Sequence, residues 1–336
     1  MANMLDVAKL ADVSPATVSR VLTNPDIVSD HTKDKVLKAI EELNYKPNVL
    51  ARNLRKMENK NILVILPDIT NTFFSQVLRG IDQVASENGY RVLLADTKDE
   101  LDLEHEYLTY LDLKIADAAI MLTSRNVEAI EELARKHQIV LACEYIKDSQ
   151  LPMVSIDNIK SAYKATKHLI DLGHQKIAHI SGPMDIILNK DRFEGYKKAL
   201  LEANLKFNRD WVKEGEYTVD SGYSEMEKLL QLSAPPTAVF ASNDEMAIGA
   251  IKAIKNSNMK VPDDIAVVGF DDIKWASIYE PALTTIFQPT FEIGKKAMSI
   301  LLKLIKEEKE DFQLERKVYE GELVVRKTCG AKNNRD

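Results

Sequence analysis

Residues 13–21 of this 336-residue chain read Val-Ser-Pro-Ala-Thr-Val-Ser-Arg-Val, and this stretch decides how the N-terminal part folds. Ser14 can cap a helix with its hydroxyl, and Pro15 suits the first helical position, where no N–H is needed. Helical spacing turns Val18 and Val21 inward, with Leu22 beside them. The opposite face carries small or polar side chains and one arginine: Ser14, Pro15, Ala16, Thr17 and Arg20. Such a face can enter a DNA major groove and contact base edges.

Two further helices are predicted around this one. The first spans about residues 6–11, and its predicted buried side chains are Val7, Leu10 and Ala11. The third follows Ser29 as its cap, and its predicted buried side chains are Val36, Leu37, Ile40 and Leu43. Three short helices around a small core are typical of a helix-turn-helix domain. A three-helix lid with a solvated outer face is the alternative that the pattern leaves open.

Residues 44–56, Asn-Tyr-Lys-Pro-Asn-Val-Leu-Ala-Arg-Asn-Leu-Arg-Lys, complete a motif that resembles the DNA-binding head and hinge of the LacI/GalR family of bacterial transcription regulators. The resemblance covers nearly the whole chain. It implies that the hinge forms a helix when two chains meet over a palindromic site, and that Leu54 wedges into the minor groove. It also implies DNA contacts from Ala51, Arg52 and Arg55, and base readout mainly by Thr17 and Arg20.

The charge distribution agrees with this resemblance. The chain has a net charge of −7, whereas its first sixty residues carry ten Lys and Arg against eight Asp and Glu. Most of the excess lies in the segment 46–60. A basic hinge on an acidic body favours contact with phosphates at one place. A soluble linker with the same few charges is the plainer alternative.

Composition and motifs exclude several other classes. No apolar run is long enough to span a membrane, and the N-terminus lacks the features of a signal peptide, so a cytoplasmic location is predicted. Cys143 and Cys329 are expected to be free thiols. His168, His174 and His179 lack the spacing of zinc ligands and are interpreted as structural residues, so no metal and no cofactor are predicted. Phosphate-loop, dinucleotide-binding and nucleophile-elbow motifs are absent, so an enzyme is not expected.

From residue 61 onward, apolar strand runs alternate with amphipathic helices, which indicates parallel sheets covered on both faces. One predicted strand is Ile139–Cys143, and Lys317–Val325 near the end of the chain is predicted to be extended. The number of units favours two lobes. The predicted fold is a small all-α helix-turn-helix head followed by an α/β two-lobe core like that of periplasmic binding proteins, with three crossovers placed by the resemblance near residues 157–160, 286–290 and 316–322. The predicted divisions are a head (1–46), a hinge (47–60), an N-terminal lobe (61–158 and 289–316) and a C-terminal lobe (159–288 and 317–336).

Ligands of parallel α/β sheets bind beyond the carboxyl ends of the strands. The residues at such ends are Asp68, Asp96, Asp157, Asn243, Asp244 and Asp271. Asp68 and Asp244 are interpreted as helix caps, while Asp157 and Asn243 fit either a cap or a ligand contact. The resemblance matches Asp271 to the family's ligand-binding aspartate and adds further candidates for the cleft: Arg192, Phe73, Phe74 and Tyr217. Phe74 also fits the core face of its helix, which makes Phe73 the stronger aromatic candidate.

Two kinds of sequence feature bear on the class of ligand. Segments such as Leu151–Asn158 and Pro235–Phe240 resemble the cytidine-responsive branch of the family. Ile186 and Leu188 stand where a member that binds a purine-base corepressor is expected to have polar side chains, which disfavours such a ligand. A nucleoside and a sugar are the two ligand classes left open, with the nucleoside slightly favoured. The prediction is a homodimeric repressor that binds a palindromic operator under control of a small effector, without a membrane role. The alternatives are a regulator controlled by a protein corepressor and a solute-binding protein of the same fold.

Overall fold

A computed structural model describes residues 2–45, 59–306 and 313–331. The chain divides into two compact units, Met1–Asn59 and Lys60–Asp336. Within the described residues, no helix is both long and apolar enough to cross a membrane.

In the described part of the chain, three α-helices lie in the first unit, and helices and strands alternate along most of the second. The helices are α1 (Met4–Leu10), α2 (Pro15–Thr23), α3 (Asp30–Glu42), α4 (Phe74–Glu87), α5 (Leu101–Asp112), α6 (Val127–Ala134), α7 (Asn158–Asp171), α8 (Ile187–Glu202), α9 (Val219–Leu230), α10 (Asp244–Asn256), α11 (Lys274–Ile278) and α12 (Thr290–Lys306). The strands are β1 (Asn61–Leu66), β2 (Arg91–Asp96), β3 (Ala118–Met121), β4 (Gln138–Ala142), β5 (Met153–Ile156), β6 (Ile177–Ser181), β7 (Val212–Glu214), β8 (Ala238–Ala241), β9 (Ala266–Asp271), β10 (Thr284–Phe287), β11 (Arg316–Tyr319) and β12 (Glu322–Val324). Two short 3₁₀ helices lie at Pro25–Ile27 and Arg209–Trp211.

The head is a three-helix domain with a core of small side chains. Its buried apolar residues are Val7, Ala8, Ala11, Val18, Val21, Val36, Ala39 and Tyr45. The prediction that Leu10 and Leu37 are buried was wrong, because they are 45% and 49% exposed. The inward face of α1 and its C-cap consists of Val7, Ala8 and Ala11, which leaves Leu10 at the solvent edge. Small alanines there allow the three helices to approach closely.

The body contains two sheets, each of six strands. The first has the order β11-β5-β4-β3-β1-β2 and is parallel throughout. The second has the order β12-β10-β9-β8-β6-β7 and is parallel except for β12, which pairs antiparallel with β10. Helices cover both faces of each sheet, which explains why central strands such as β1 and β9 are buried almost along their whole length. The two lobes predicted from the sequence are confirmed.

The chain crosses between the lobes three times, as predicted. The first crossing follows β5, the second follows β10 at Gln288, and the third lies between β11 and β12. The predicted lobe boundary at residue 316 falls inside the first sheet, because β11 continues to Tyr319 and pairs there with Ile156. The extended run predicted from residue 317 to 325 is therefore two strands in different sheets.

Helices α4 and α12 pack against each other through two glycines. A Cβ atom added at Gly294 would lie 2.0 Å from the Val77 carbonyl oxygen, and one added at Gly80 would lie 2.2 Å from the Phe291 carbonyl oxygen. Both contacts involve backbone atoms, so a side chain at either position forces the helices apart. The two glycines thus set the distance between α4 and α12.

We expect Gly294→Ala to lower the free energy of unfolding by about 1–3 kcal/mol, as overpacking of a close contact usually does. Urea unfolding of the full chain measures this. Gln76→Ala changes an exposed position on α4 and should shift the free energy by less than about 0.5 kcal/mol. Equal stability of the two variants would show that the helices can separate without loss.

Candidate functional site

The outer face of α2 is formed as predicted from the sequence. Ser14 caps the helix by accepting a hydrogen bond from the Thr17 N–H at 3.1 Å, and the two hydroxyls lie 2.9 Å apart. Pro15, Ala16 and Arg20 are exposed, and Thr17 is half-buried. Ser29 precedes α3 as predicted but makes no side-chain cap bond, since its hydroxyl contacts Thr32 at 3.0 Å instead. The second helix therefore presents a small surface with one long cationic side chain.

Four predicted DNA contacts lie outside the described residues: Ala51, Arg52, Leu54 and Arg55. Their roles remain predictions that rest on the family resemblance.

A cavity opens between the lobes at the carboxyl ends of both sheets. From the first lobe it is lined by Pro67, Asp68, Asn71, Phe73, Phe74, Asp99, Leu122, Cys143 and Glu144. From the second lobe it is lined by Ile186, Leu188, Arg192, Glu216, Tyr217, Thr218, Asn243 and Asp271. Gln288, on the second crossing, completes the lining. Six of the seven predicted ligand residues meet here, although they come from widely separated parts of the chain.

Arg192 lies on α8 and is held rigidly in the wall of the cavity. Its Nε donates to Asn158 Oδ1 at 2.9 Å, and its Nη1 donates to the Ser242 carbonyl at 2.5 Å. The guanidinium carbon lies 3.9 Å from the centre of the Phe270 ring, so a cation–π contact supports it from one side. The side chain is only 4% exposed. These two bonds leave the other N–H groups of the guanidinium to donate to oxygen atoms of a ligand.

Asp271 ends β9 in a backbone conformation with φ of +114°, which is sparsely populated for residues other than glycine. Gln288 Nε2 donates to its Oδ1 at 2.7 Å. Burial raises the pKa of the Asp271 carboxyl to about 7, although Arg192 and Gln288 act in the opposite direction. The carboxyl therefore changes charge near neutral pH, at the position where a ligand hydroxyl would meet it.

Aromatic rings and an amide complete the predicted set. Phe73 and Phe74 pack edge to face with centroids 5.1 Å apart, and both line the cavity. Tyr217 adopts a positive φ of 61°, and Asn243 Nδ2 donates to its carbonyl at 2.9 Å. Asn243 also caps α10 by accepting from the Met246 N–H at 2.9 Å, so the helix cap is confirmed, while the ligand contact stays a prediction for a residue that lines the cavity.

The remaining strand-end residues differ from the predictions. The structure does not bring Asp157 to the cavity, because its Oδ1 caps α7 by accepting from the Lys160 N–H at 2.8 Å. Asp68 accepts from the Thr70 N–H at 2.8 Å in a turn and also lines the cavity. The cap of α10 is Asn243 rather than Asp244. The buried Asp244 instead accepts bonds from the Ile273 N–H and the Thr285 hydroxyl.

Sequence reasoning missed Glu144 and Gln288. Glu144 follows the predicted strand ending at Cys143, and its carboxylate accepts from the Ser124 N–H at 2.8 Å and the Ser124 hydroxyl at 2.9 Å. Burial raises the pKa of Glu144 to about 7. Its position just after a strand was the available signal, whereas Gln288 had no signal beyond its place in the second predicted crossing.

Direct contacts between the lobes flank the cavity. Arg125 of the first lobe pairs with Asp185 of the second at 2.5 Å, and the Tyr145 hydroxyl donates to Asp191 at 2.7 Å. Both bonds break if the lobes separate. A ligand that contacts both lobes therefore acts on the same equilibrium as these pairs.

Comparison with known proteins places this geometry in a family. The family described as "Periplasmic binding proteins and sugar binding domain of LacI family" matches residues 59–320, and "Bacterial regulatory proteins, lacI family" matches residues 3–48. The HTH-type transcriptional repressor CytR of Escherichia coli (strain K12) is 40% identical over 303 residues, covering 90% of this chain and 89% of that protein. The repressor PurR of Vibrio campbellii is 37% identical over 333 residues, covering 98% of both chains.

A solved structure shares the whole architecture. The lac repressor dimer bound to operator and the anti-inducer ONPF superposes with a TM-score of 0.88 at 28% identity, covering 98% of this chain and 99% of that chain. Head, cavity and both lobes thus correspond to one protein type. The chain belongs to the LacI family of bacterial regulatory proteins and is a DNA-binding transcriptional regulator.

Proposed function

We propose that this protein is a homodimeric repressor whose affinity for a palindromic operator is set by a nucleoside bound between the lobes. The observation that carries the proposal is the combination of apolar and hydrogen-bonding groups in the cavity wall. Phe73, Phe74 and Leu122 supply apolar surface from the first lobe, which also contributes three carboxyl groups, and Arg192, Asn243 and Asp271 supply hydrogen-bonding groups from the second. A flat base suits aromatic faces, and the hydroxyls of a ribose suit a carboxylate and a fixed guanidinium.

Ile186 and Leu188 also support this choice among ligands with a base. Both line the cavity and are at most 9% exposed, so they present no hydrogen-bonding side chain to a purine. A pyrimidine nucleoside leaves fewer polar atoms to be satisfied at that wall. The similarity to CytR at 40% identity agrees with the same branch of the family.

A sugar is the second candidate, favoured by the matching family's description as a sugar-binding domain. The same hydroxyl-binding groups, Asp271, Arg192 and Asn243, serve a pyranose as well as a ribose. Control by a protein corepressor is the third candidate. It requires no ligand in the cavity.

Regulation is proposed to act through the hinge. In two chains on one operator, Leu54 of each enters the minor groove, and Ala51, Arg52 and Arg55 contact the DNA beside it. The heads then read half-sites about one helical turn apart. Closing or opening the lobes changes the separation of the paired hinges, and a coupling of about 1–3 kcal/mol is enough to switch occupancy.

The effector class is tested by thermal unfolding of the full chain with nucleosides, pentoses, hexoses and disaccharides. A specific ligand at about one hundred times its dissociation constant adds roughly 2.7 kcal/mol to the free energy of unfolding. We expect stabilisation by a pyrimidine nucleoside. Stabilisation by a sugar alone would replace the nucleoside proposal, and no response across the panel would favour the protein corepressor.

A further inference from the structure

The wall of the interlobe cavity carries far more acid than base. Among the described residues that line it, five have carboxyl side chains and one is cationic: Asp68, Asp99, Glu144, Glu216 and Asp271 against Arg192. Carboxylates accept hydrogen bonds from ligand hydroxyls, but about two or three of them would be enough to bind a ligand in this way. The excess of negative charge acts on every ligand that approaches, because a cleft lined by one sign of charge focuses the field.

Arg192 supplies one positive charge against this excess. Its Nε and Nη1 donate to Asn158 and Ser242, and its guanidinium carbon lies 3.9 Å from the centre of the Phe270 ring. Arg192 lowers the pKa of Asp271 against the larger effect of burial. The other four carboxyls lie on other segments of the lining: Asp68 follows β1, Asp99 follows β2, Glu144 follows β4 and Glu216 precedes α9.

The next cation, Arg125, is already shared. It lies 2.5 Å from Asp185 and 3.7 Å from Asp99, so one positive charge faces two carboxylates. The pKa of Asp99 is nevertheless raised, first by burial and then by the charges of Asp68 and Asp185, against the effect of Arg125. Because Arg125 is shared by two carboxylates, it leaves no excess of positive charge at this edge of the cavity.

Two lysines line a neighbouring cavity instead. Lys147 and Lys190 lie there together with Arg125, and this cavity shares Glu144 and Ile186 with the first. Both lysines are exposed, and Asp185 and Glu144 lie in the same wall. Neither lysine is among the residues that line the first cavity, so Arg192 remains the cation of that lining.

We propose that the cavity accepts neutral or cationic effectors and rejects phosphorylated or carboxylated ones, with Asp99, Glu144 and Glu216 as the residues that discriminate. This inference rests on the proposed function and deepens it: the regulator responds to the free nucleoside or sugar and ignores its phosphate ester. A phosphate group would have to enter a site in which five carboxyl groups face one cation, Arg192, whose Nε and Nη1 already donate to Asn158 and Ser242.

The field can be measured without knowing the effector. In the full chain carrying Cys143→Ser and Cys329→Ser, Thr218→Cys places one thiol on the exposed rim of the cavity. The rates of modification by a cationic and an anionic methanethiosulfonate are compared, and their ratio is divided by the ratio for a small free thiol. We expect the normalised ratio to be about ten in favour of the cation, a typical focusing effect. Leu201→Cys, which replaces a side chain 76% exposed, serves as the surface control with a ratio near one.

Adding Glu216→Gln and Asp99→Asn to the Thr218→Cys protein should bring the normalised ratio down at least threefold. A ratio at or below one at Thr218→Cys, or no response to the two neutral substitutions, overturns the proposal. Circular dichroism confirms that the variants fold.

Matched pairs of free and phosphorylated ligands test whether the cavity rejects phosphate esters. Cytidine is compared with its 5′-monophosphate, and glucose with glucose 6-phosphate, by calorimetry on the unmodified chain. We expect the phosphorylated member of a binding pair to bind at least one hundredfold more weakly. Tighter binding of the phosphate overturns the proposal and points to the cavity with Lys147 and Lys190. If neither pair binds, the proposed effector class fails, while the thiol ratio still decides the charge of the cavity.

Discussion

We expect Arg192→Met to abolish ligand binding in the cavity and to lower the free energy of unfolding by about 3–5 kcal/mol, as removal of one partner from a buried charged network does. Methionine keeps the length and apolar stem of the side chain but has no donors. Asn158 Oδ1 and the Ser242 carbonyl then lose their partner, and the buried Asp271 loses the neighbouring positive charge. Ligand affinity should fall more than about one hundredfold.

Lys198→Met provides the matched control. Lys198 lies on the same helix α8 but is exposed, so its replacement should change the free energy of unfolding by less than about 0.5 kcal/mol. Arg192→Lys separates charge from geometry, because a lysine cannot reach both acceptors in the fixed arrangement of a guanidinium. Wild-type ligand affinity in Arg192→Met would remove Arg192 from the site.

Asp271→Asn has the second largest expected effect, a loss of about tenfold to one hundredfold in ligand affinity from the missing charged hydrogen bond. The side chains have nearly the same shape, and Asn can still accept the bond from Gln288. Wild-type affinity should rise with pH up to about 7, where the carboxyl becomes ionised, and then level off. The variant should show no such dependence. Calorimetric titrations at several pH values decide this.

The stability of the unliganded protein gives an independent check of the same group. Because the folded pKa is raised from 3.8 to about 7, the carboxyl contributes stability at low pH that is lost as the pH rises through 7. Asparagine cannot ionise, so the stability of Asp271→Asn relative to wild type should increase between pH 5 and pH 8. Glu144, whose pKa is also raised to about 7, follows the same direction in both proteins and cancels. A constant difference across this range would contradict the pKa of Asp271.

The ionisation of His179 changes the stability of the protein in the opposite direction, at lower pH. Burial lowers its pKa to about 4, so the stability contributed by its neutral form is lost as the pH falls from 6.5 toward 4. Its ring stacks on Phe240 with centroids 4.9 Å apart, and its Nδ1 lies 3.0 Å from the Phe240 carbonyl. The structural role predicted for this histidine agrees with its place in the core of the second lobe.

The fold was predictable because its signals are local. The cap at Ser14, the proline after it and the alternation of buried strands with amphipathic helices each depend on a few neighbouring residues. The exposure of Leu10 and Leu37 was not predictable in the same way. Which apolar residue of a short helix faces the core depends on how the other two helices pack, and α1 packs through Ala8 and Ala11.

The cavity was predictable only in part for a related reason. Residues at the ends of predicted strands were found because parallel strands end at one edge, as with Asn243 and Asp271. Whether such a residue caps a helix or faces a ligand depends on its rotamer. The side chain of Asp157 caps the helix that follows it. Gln288 and Asp271 are brought together by the pairing of β10 with β9 and the crossing that follows, which no local pattern reports.

The central claim is that occupation of the cavity changes the affinity of this protein for DNA. It is tested most directly by titrating the full chain onto a fluorescent operator, selected from random duplexes, with and without the ligand found by thermal unfolding. We predict that saturating ligand changes the dissociation constant by about fivefold to 150-fold, and that Arg192→Met binds the same operator without responding. An operator affinity that is identical with and without saturating ligand would contradict the account.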